Sequence, residues 1–176
     1  MFRIHELLLT FFYFGKIKTA PGTMGSFVSL FLWLAYATLA CGFNVSLDSQ
    51  NIFWGIFLVS AFSYGCFASP LYAKKFGQID HQSIVLDEVV GQVATLQISF
   101  LLVYQTYFQD PRLMVLHLAS SFFLFRFFDI KKPSFIGRAD RMKSGLGVML
   151  DDLLAGLSAA LVTIILLVIY FTLIVY

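Results

Sequence analysis

The sequence predicts an all-α membrane protein, a polytopic bundle of about five spans with a short amphipathic helix at its N-terminus. Three observations predict it. Of the 176 residues, 59% are hydrophobic and only 12% charged, and the mean hydropathy is +0.83, outside the balance of a water-soluble domain. Five stretches approach the roughly 20 apolar residues that a helix needs to cross about 30 Å of hydrocarbon: 26–43, 52–71, 86–107, 113–129 and 153–175. The ionisable residues, finally, collect near the ends of these stretches rather than along them.

The segment ahead of the first span carries Arg3 and an apolar run from Leu7 to Phe14, but Lys16 and Lys18 stand where a signal peptide would have its small-residue cleavage site. It is read as a retained interfacial helix. The fifth span is unambiguous, with no charged residue, whereas the third opens on Asp87 and Glu88, and the fourth contains His117 and ends with Arg126 and Asp129. Basic residues set the orientation. Arg3, Lys16 and Lys18 precede span one, Lys74 and Lys75 lie between spans two and three, and Arg126, Lys131, Lys132, Arg138, Arg141 and Lys143 cluster at and after the end of span four. With five spans these share one side, and of the 12 Lys and Arg only Arg112 falls on the other. The N-terminus is therefore expected in the cytoplasm and the C-terminus outside. The acids partition likewise: Glu6, Asp80, Asp87, Glu88, Asp129, Asp140, Asp151 and Asp152 are cytoplasmic, leaving Asp48 and Asp110 external.

Several function classes fall away. A net charge of +2 without a basic stripe does not make a nucleic-acid binder. Cys41 and Cys66 lack metal-ligand or CxxC spacing and read as small core hydrophobes. Repeats, low-complexity tracts and a separate soluble domain are absent, and nothing specifies an oligomeric state.

Three polar stretches abut the cytoplasmic ends of the spans: Thr19 to Ser26, Asp80 to Gln92, and Phe125 to Gly156. Spans one, three and five all begin on that side, so their unpaired N–H groups and positive dipole ends point toward one layer, an arrangement suited to phosphate. In the first stretch Pro21 and Gly22 shape a turn and Gly25 and Ser26 lead into the helix, as a backbone approach to phosphate or as ordinary capping; the GxxxxGK[ST] of a P-loop is absent. In the second, Asp87 and Glu88 occupy a first helical turn, with Gln92 on the Glu88 face. In the third, Arg126 and Asp129 share a helix face, and Asp151 and Asp152 open span five, with Gly156 one turn beyond to admit a neighbouring helix.

Asp87, Glu88, Asp129, Asp151 and Asp152 thus come to one depth from three helices. Two carboxylates about 4 Å apart at an effective dielectric near 20 repel by about 4 kcal/mol. Lys132 and Arg126 offset part of this; an oxygen-only donor set without a His or Cys cluster favours Mg²⁺ or Mn²⁺ over zinc. A divalent cation beside helix N-termini and basic side chains stabilises a transferring phosphoryl group while the spans hold acyl chains, which points to a reaction on a lipid phosphate. His5, His81 and His117 are isolated; His117 is expected to hydrogen-bond a neighbouring helix.

With these blocks in view the sequence resembles the phosphatidylglycerophosphatase A family of bacterial membrane lipid phosphatases. The match is carried by Ala20-Pro-Gly-Thr-Met-Gly-Ser26, by Asp80 with Ile84-Val-Leu-Asp-Glu-Val-Val-Gly91, by Phe125-Arg-Phe-Phe-Asp-Ile-Lys-Lys-Pro133, and by Gly145-Leu-Gly-Val-Met-Leu-Asp-Asp152 through Gly156. The resemblance implies an all-helical, Mg²⁺-dependent phosphatase of the bacterial inner membrane that converts phosphatidylglycerophosphate to phosphatidylglycerol and phosphate. It aligns Asp80, Asp87, Glu88, Asp129, Asp151 and Asp152 with the family's acidic positions, expected to hold metal, and Lys132 with its basic one. Asp129, Asp87, Asp152 and Lys132 are the expected catalytic set, and Thr23, Gly25, Ser26, Arg126 and Lys132 the expected phosphate contacts; Arg138 and Arg141 take a supporting role. Direct attack by water and an aspartyl-phosphate intermediate both stay open, since no DxDxT motif is present. Two rivals are a cation-coupled transporter or channel using the acidic cluster and a CDP-alcohol phosphotransferase, whose DxxDGxxAR signature is missing.

Overall fold

A computed structural model describes residues 2–76 and 81–175. Its elements are α1 (Phe2–Leu9), α2 (Pro21–Gly42), α3 (Leu47–Phe76), α4 (Leu86–Val103), α5 (Pro111–Lys131), α6 (Ser134–Asp140) and α7 (Gly145–Tyr170), with no strand among the described residues. Of these α2, α3, α4, α5 and α7 are long and apolar enough to span a bilayer, as expected.

The helices differ from the expected spans at several ends, and three of the differences have a local reason. The Pro-Gly stretch predicted as a turn before span one is already helical: Pro21 is the first residue of α2, where its fixed φ suits a helix and its missing N–H costs nothing. Helix α7 begins at Gly145 rather than 153, because Ser144 caps it by accepting from the Gly147 amide at 3.2 Å. Asp151 and Asp152 therefore lie within α7 rather than at its start. Helix α4 stops at Val103, short of 107, and a turn region leads to Asp110, which caps α5 by accepting from the Arg112 amide at 2.9 Å.

Helix α4 is the axis of the bundle. It is 78% buried over its membrane window, against 22–39% for the other four spans. Contacts define the directions of its neighbours. Gly91 meets Phe125 while Ser99 meets His117, so α5 runs antiparallel to α4. Asp87 and Glu88 meet Asp152 while Gly91 meets Gly156, so α7 runs parallel. On the other side Gly22 meets Glu88 and Trp33 meets Gln97, making α2 parallel as well. The N-termini of α2, α4 and α7 thus share one end of the bundle.

Between helices in lipid there is little hydrophobic drive, so association rests on close contact and hydrogen bonds. The α4–α7 seam uses both. A side chain on Gly156 would collide with the Gly91 carbonyl, and one on Gly91 with the Phe125 ring and the Asp152 carbonyl. Beside this contact the Thr95 hydroxyl donates to the carbonyls of Gly91 at 2.9 Å and Gly156 at 3.0 Å. Farther along, neutral polar groups tie four helices together: Trp33 Nε1 donates to Gln97 Oε1 at 2.9 Å, Gln97 Nε2 donates to Asn51 Oδ1 at 2.9 Å, and His117 lies 2.9 Å from Ser99 Oγ and 3.1 Å from Tyr107 OH. His117 therefore bonds a neighbouring helix, as its isolation in the sequence suggested.

The seam is testable. Gly156→Val forces overpacking of about 1–3 kcal/mol, and its thermal midpoint in detergent is expected several degrees below that of Leu157→Val, a change at an exposed position. Equal midpoints would contradict the close approach.

Candidate active site

The chemistry gathers where α2, α4 and α7 begin and α5 ends. Asp87 and Glu88 stand in the first turn of α4, where the helix dipole favours acids, and the Glu88 amide donates to Asp87 Oδ1 at 3.1 Å. Helix α7, drawn in by its glycine, places Asp152 opposite. One carboxylate oxygen each from Asp87, Glu88 and Asp152 lies within 4.8 Å of the others, with Asp87 only 7% and Asp152 only 4% exposed. Glu88 Oε2 is buried without a hydrogen-bond partner.

Two further charged groups border this triad from α5. Asp129 is 9% exposed, stands beside Asp152 and pairs with Arg126 at 2.5 Å. Arg126 also donates to Ser26 Oγ at 3.4 Å, while its Nε is buried without a partner. The first turn of α2 closes the site from the other side: a Cβ on Gly22 would strike Glu88 Oε1 and come within 3.3 Å of the Arg126 guanidinium. A side chain there would have to displace the Glu88 carboxylate and crowd the guanidinium.

Lys132 forms a separate arm. It ends α5 in the left-handed region at φ 43°, ψ 55°, a conformation costing a non-glycine residue about 1 kcal/mol or more. That turn sends its ammonium to Asp151 at 2.5 Å and to Asp140. Burial works against the charge, but the hydrogen bonds to Asp140 and Asp151 outweigh it and raise its pKa above the ordinary lysine value. Asp151 and Asp152 have thus parted company: adjacent residues on a helix point about 100° apart, so one reaches Lys132 and the other Glu88.

The structure sorts the predicted residues accordingly. It brings together Asp87, Glu88, Asp152, Asp129 and Arg126, and sets Asp151 with Lys132 beside them. Asp80 lies outside the described residues. Gly25 and Ser26 are not an open phosphate turn: both are buried inside α2, where a Cβ on Gly25 would come within 2.9 Å of Val85 Cβ and the Ser26 hydroxyl donates to the Gly22 carbonyl at 3.0 Å. The Met24 amide already bonds the Ala20 carbonyl, so by position Gly22 and Thr23 hold the amides without an intrahelical acceptor. Arg138 and Arg141 are exposed, on and just after α6. Asp140, unassigned in the sequence, turns out to be the second partner of Lys132; its place eight residues after Lys132 gave no periodic clue.

The family model for phosphatidylglycerophosphatase A matches residues 7–167 of the chain. The chain belongs to the phosphatidylglycerophosphatase A family. Curated relatives agree with this: a phosphatidylglycerophosphatase A from Haemophilus influenzae is 35% identical, aligned over 89% of this chain and 85% of its own, and one from Escherichia coli is 32% identical over 88% and 78%. A protein from Bacteroides thetaiotaomicron provisionally described as a phosphatidylinositol-3-phosphatase is 32% identical over 85% of each chain. No solved structure matches. The matched segment holds the carboxylates, Arg126 and Lys132 alike.

The pairing of Lys132 yields a prediction. Asp151 keeps 7% side-chain exposure and Lys132 27%, so Lys132→Met leaves a nearly buried carboxylate uncompensated, at a cost of about 1–3 kcal/mol, less than for a fully buried pair. Lys132→Met with Asp151→Asn should recover most of the lost thermal midpoint; a double variant no more stable than the single would contradict the pairing.

Proposed function

We propose that this phosphatidylglycerophosphatase hydrolyses the terminal phosphomonoester of phosphatidylglycerophosphate with bound Mg²⁺, at the cytoplasmic face of a bacterial inner membrane. The convergence of Asp87, Glu88 and Asp152 beside Arg126 carries this reading.

The donor set fits a hard divalent cation. All the ligand atoms are carboxylate oxygens, and Arg126 supplies a single positive charge against Glu88 and Asp129 together. Asp87, Glu88 and Asp152 would hold the ion, with Asp129 next to them. When bound, Mg²⁺ supplies charge neutralisation on the transferring phosphoryl group.

The remaining work belongs to the chain's own groups. Arg126, half-buried between α2 and α5, offers guanidinium N–H donors to phosphate oxygens, joined by the Gly22 and Thr23 amides at the α2 N-terminus. Lys132 adds positive charge one step away, on the Asp151 side. Hydrolysis breaks the bond between phosphorus and the headgroup glycerol oxygen; the oxygen of water joins phosphorus, and a proton ends on the glycerol oxygen. In this reading Asp129, held by its ion pair with Arg126, takes the proton of the attacking water. The acyl chains stay in the bilayer against exposed aromatic faces such as Phe27 and Phe31 of α2 and Phe123 and Phe127 of α5.

Orientation follows from the basic residues, eleven of the twelve lying toward the active-site end in a five-span topology. Ion transport finds no support: beyond Asp48, Arg112 and Asp110 at the helix ends, the far half of the bundle has no charged side chain among the described residues, and Gln97, Asn51, Ser99 and His117 are engaged in hydrogen bonds within it.

Phosphate release from phosphatidylglycerophosphate in mixed micelles tests the proposal. The wild type should be active with Mg²⁺ and silent in EDTA, and Asp87→Asn and Asp152→Asn should each lose about 10²-fold or more. Full activity in EDTA would remove the metal from the account, and an inactive wild type would remove the reaction.

A further inference from the structure

One polar side chain near the site is used by nothing so far. Gln92 of α4 is 0% exposed, and neither its Oε1 nor its Nε2 has a hydrogen-bond partner. Its neighbours along the same helix behave differently: Thr95 donates to two carbonyls, Gln97 bonds Trp33 and Asn51, and Ser99 bonds His117. An amide buried without partners costs about 1–3 kcal/mol, a cost that an apolar side chain of similar shape does not carry. Core packing therefore gives no reason for glutamine at this position.

Its place on α4 does. Gln92 follows Glu88 by four residues, so the two side chains rise from one helix face with their Cβ atoms about 5–6 Å apart. Glu88 has a buried oxygen, Oε2, that also lacks a partner, while its Oε1 lies against Gly22. A donor without an acceptor thus stands one turn from an acceptor without a donor. Carboxylates that hold metals are oriented by hydrogen bonds from groups behind them, and losing such a partner typically weakens metal affinity about 10–100-fold.

Resting on the metal reading above, we propose that Gln92 is a positioning residue for Glu88: its carboxamide donates to one oxygen of the Glu88 carboxylate and so aims the other toward a divalent cation shared with Asp87 and Asp152. Gln92 touches neither substrate nor reacting atoms in this role. It acts through the ligand, so its removal changes metal affinity before it changes lipid affinity.

The test uses the purified full chain in detergent, with Mn²⁺ as probe and free Mn²⁺ read by electron paramagnetic resonance. Gln92→Met removes both amide groups at nearly constant shape and is expected to weaken Mn²⁺ binding about 10–100-fold, with a thermal midpoint equal to or above the wild type. In the phosphate-release assay the Mg²⁺ concentration for half-maximal rate should rise by the same factor, while the KM for lipid at saturating Mg²⁺ stays put. Gln92→Leu provides a second apolar side chain should methionine not be accommodated, with the same shift expected. Wild-type affinity for Mn²⁺ in either variant, whatever its stability, would overturn the role given to Gln92 and leave the metal reading standing. Failure of the wild type itself to bind Mn²⁺ would overturn the metal reading and this inference with it.

Discussion

The backbones of Gly91 and Gly156 touch, and the site depends on that contact. Helices in a bundle usually stand about 8–10 Å apart, held off by their side chains. Here neither helix has a Cβ at the crossing, so α7 can lie close enough to α4 for Asp152 to reach Asp87 and Glu88 from one turn away. Thr95 locks the crossing by donating to both glycine carbonyls. The glycines are thus part of the candidate site without being chemically active: they let α7 come close enough to hold together carboxylates that repel one another.

That repulsion explains the division of the bundle into two unlike halves. At one end, carboxylates from α4, α5 and α7 crowd against Arg126, with Lys132 holding Asp151 and Asp140 nearby. Such a group is stable in a low-dielectric setting only with counter-charge, which the proposed divalent cation would provide without the bulk of further basic side chains. At the other end two neutral chains of hydrogen bonds are buried, from Trp33 through Gln97 to Asn51 and from Ser99 through His117 to Tyr107. The neutral network fixes helix register, leaving the charged end free to be arranged for chemistry. Gly22 and Gly25 do for α2 what Gly91 does for α4, bringing the helix start onto Glu88 and Val85.

Much of this was legible from residues alone. Spans follow from hydropathy because a bilayer admits few alternatives to an apolar helix, and the shared layer of acids follows from counting spans. What escaped was local. Pro21 and Ser144 are ordinary helix-start signals, but hydropathy alone marks only the long apolar run that follows each, and so places the starts of α2 and α7 too late. With α7 begun at Gly145, helical periodicity alone separates Asp151 from Asp152; with it begun at 153, the two look like one pair. The bond between Lys132 and Asp140 needs a left-handed residue and an intervening short helix, neither of which leaves a periodic trace. The packing of the Gly25–Ser26 segment was not legible, because glycine serves close helix packing and phosphate approach equally well and only the neighbour, Val85, shows the packing.

The most direct measurement is the position of a bound ion. In crystals of the protein grown with Mn²⁺, the anomalous difference map should show a peak coordinated by carboxylate oxygens of Asp87, Glu88 and Asp152. A peak bound elsewhere, or none there in a map that resolves these side chains, would contradict the claim that the α4–α7 seam builds a metal site.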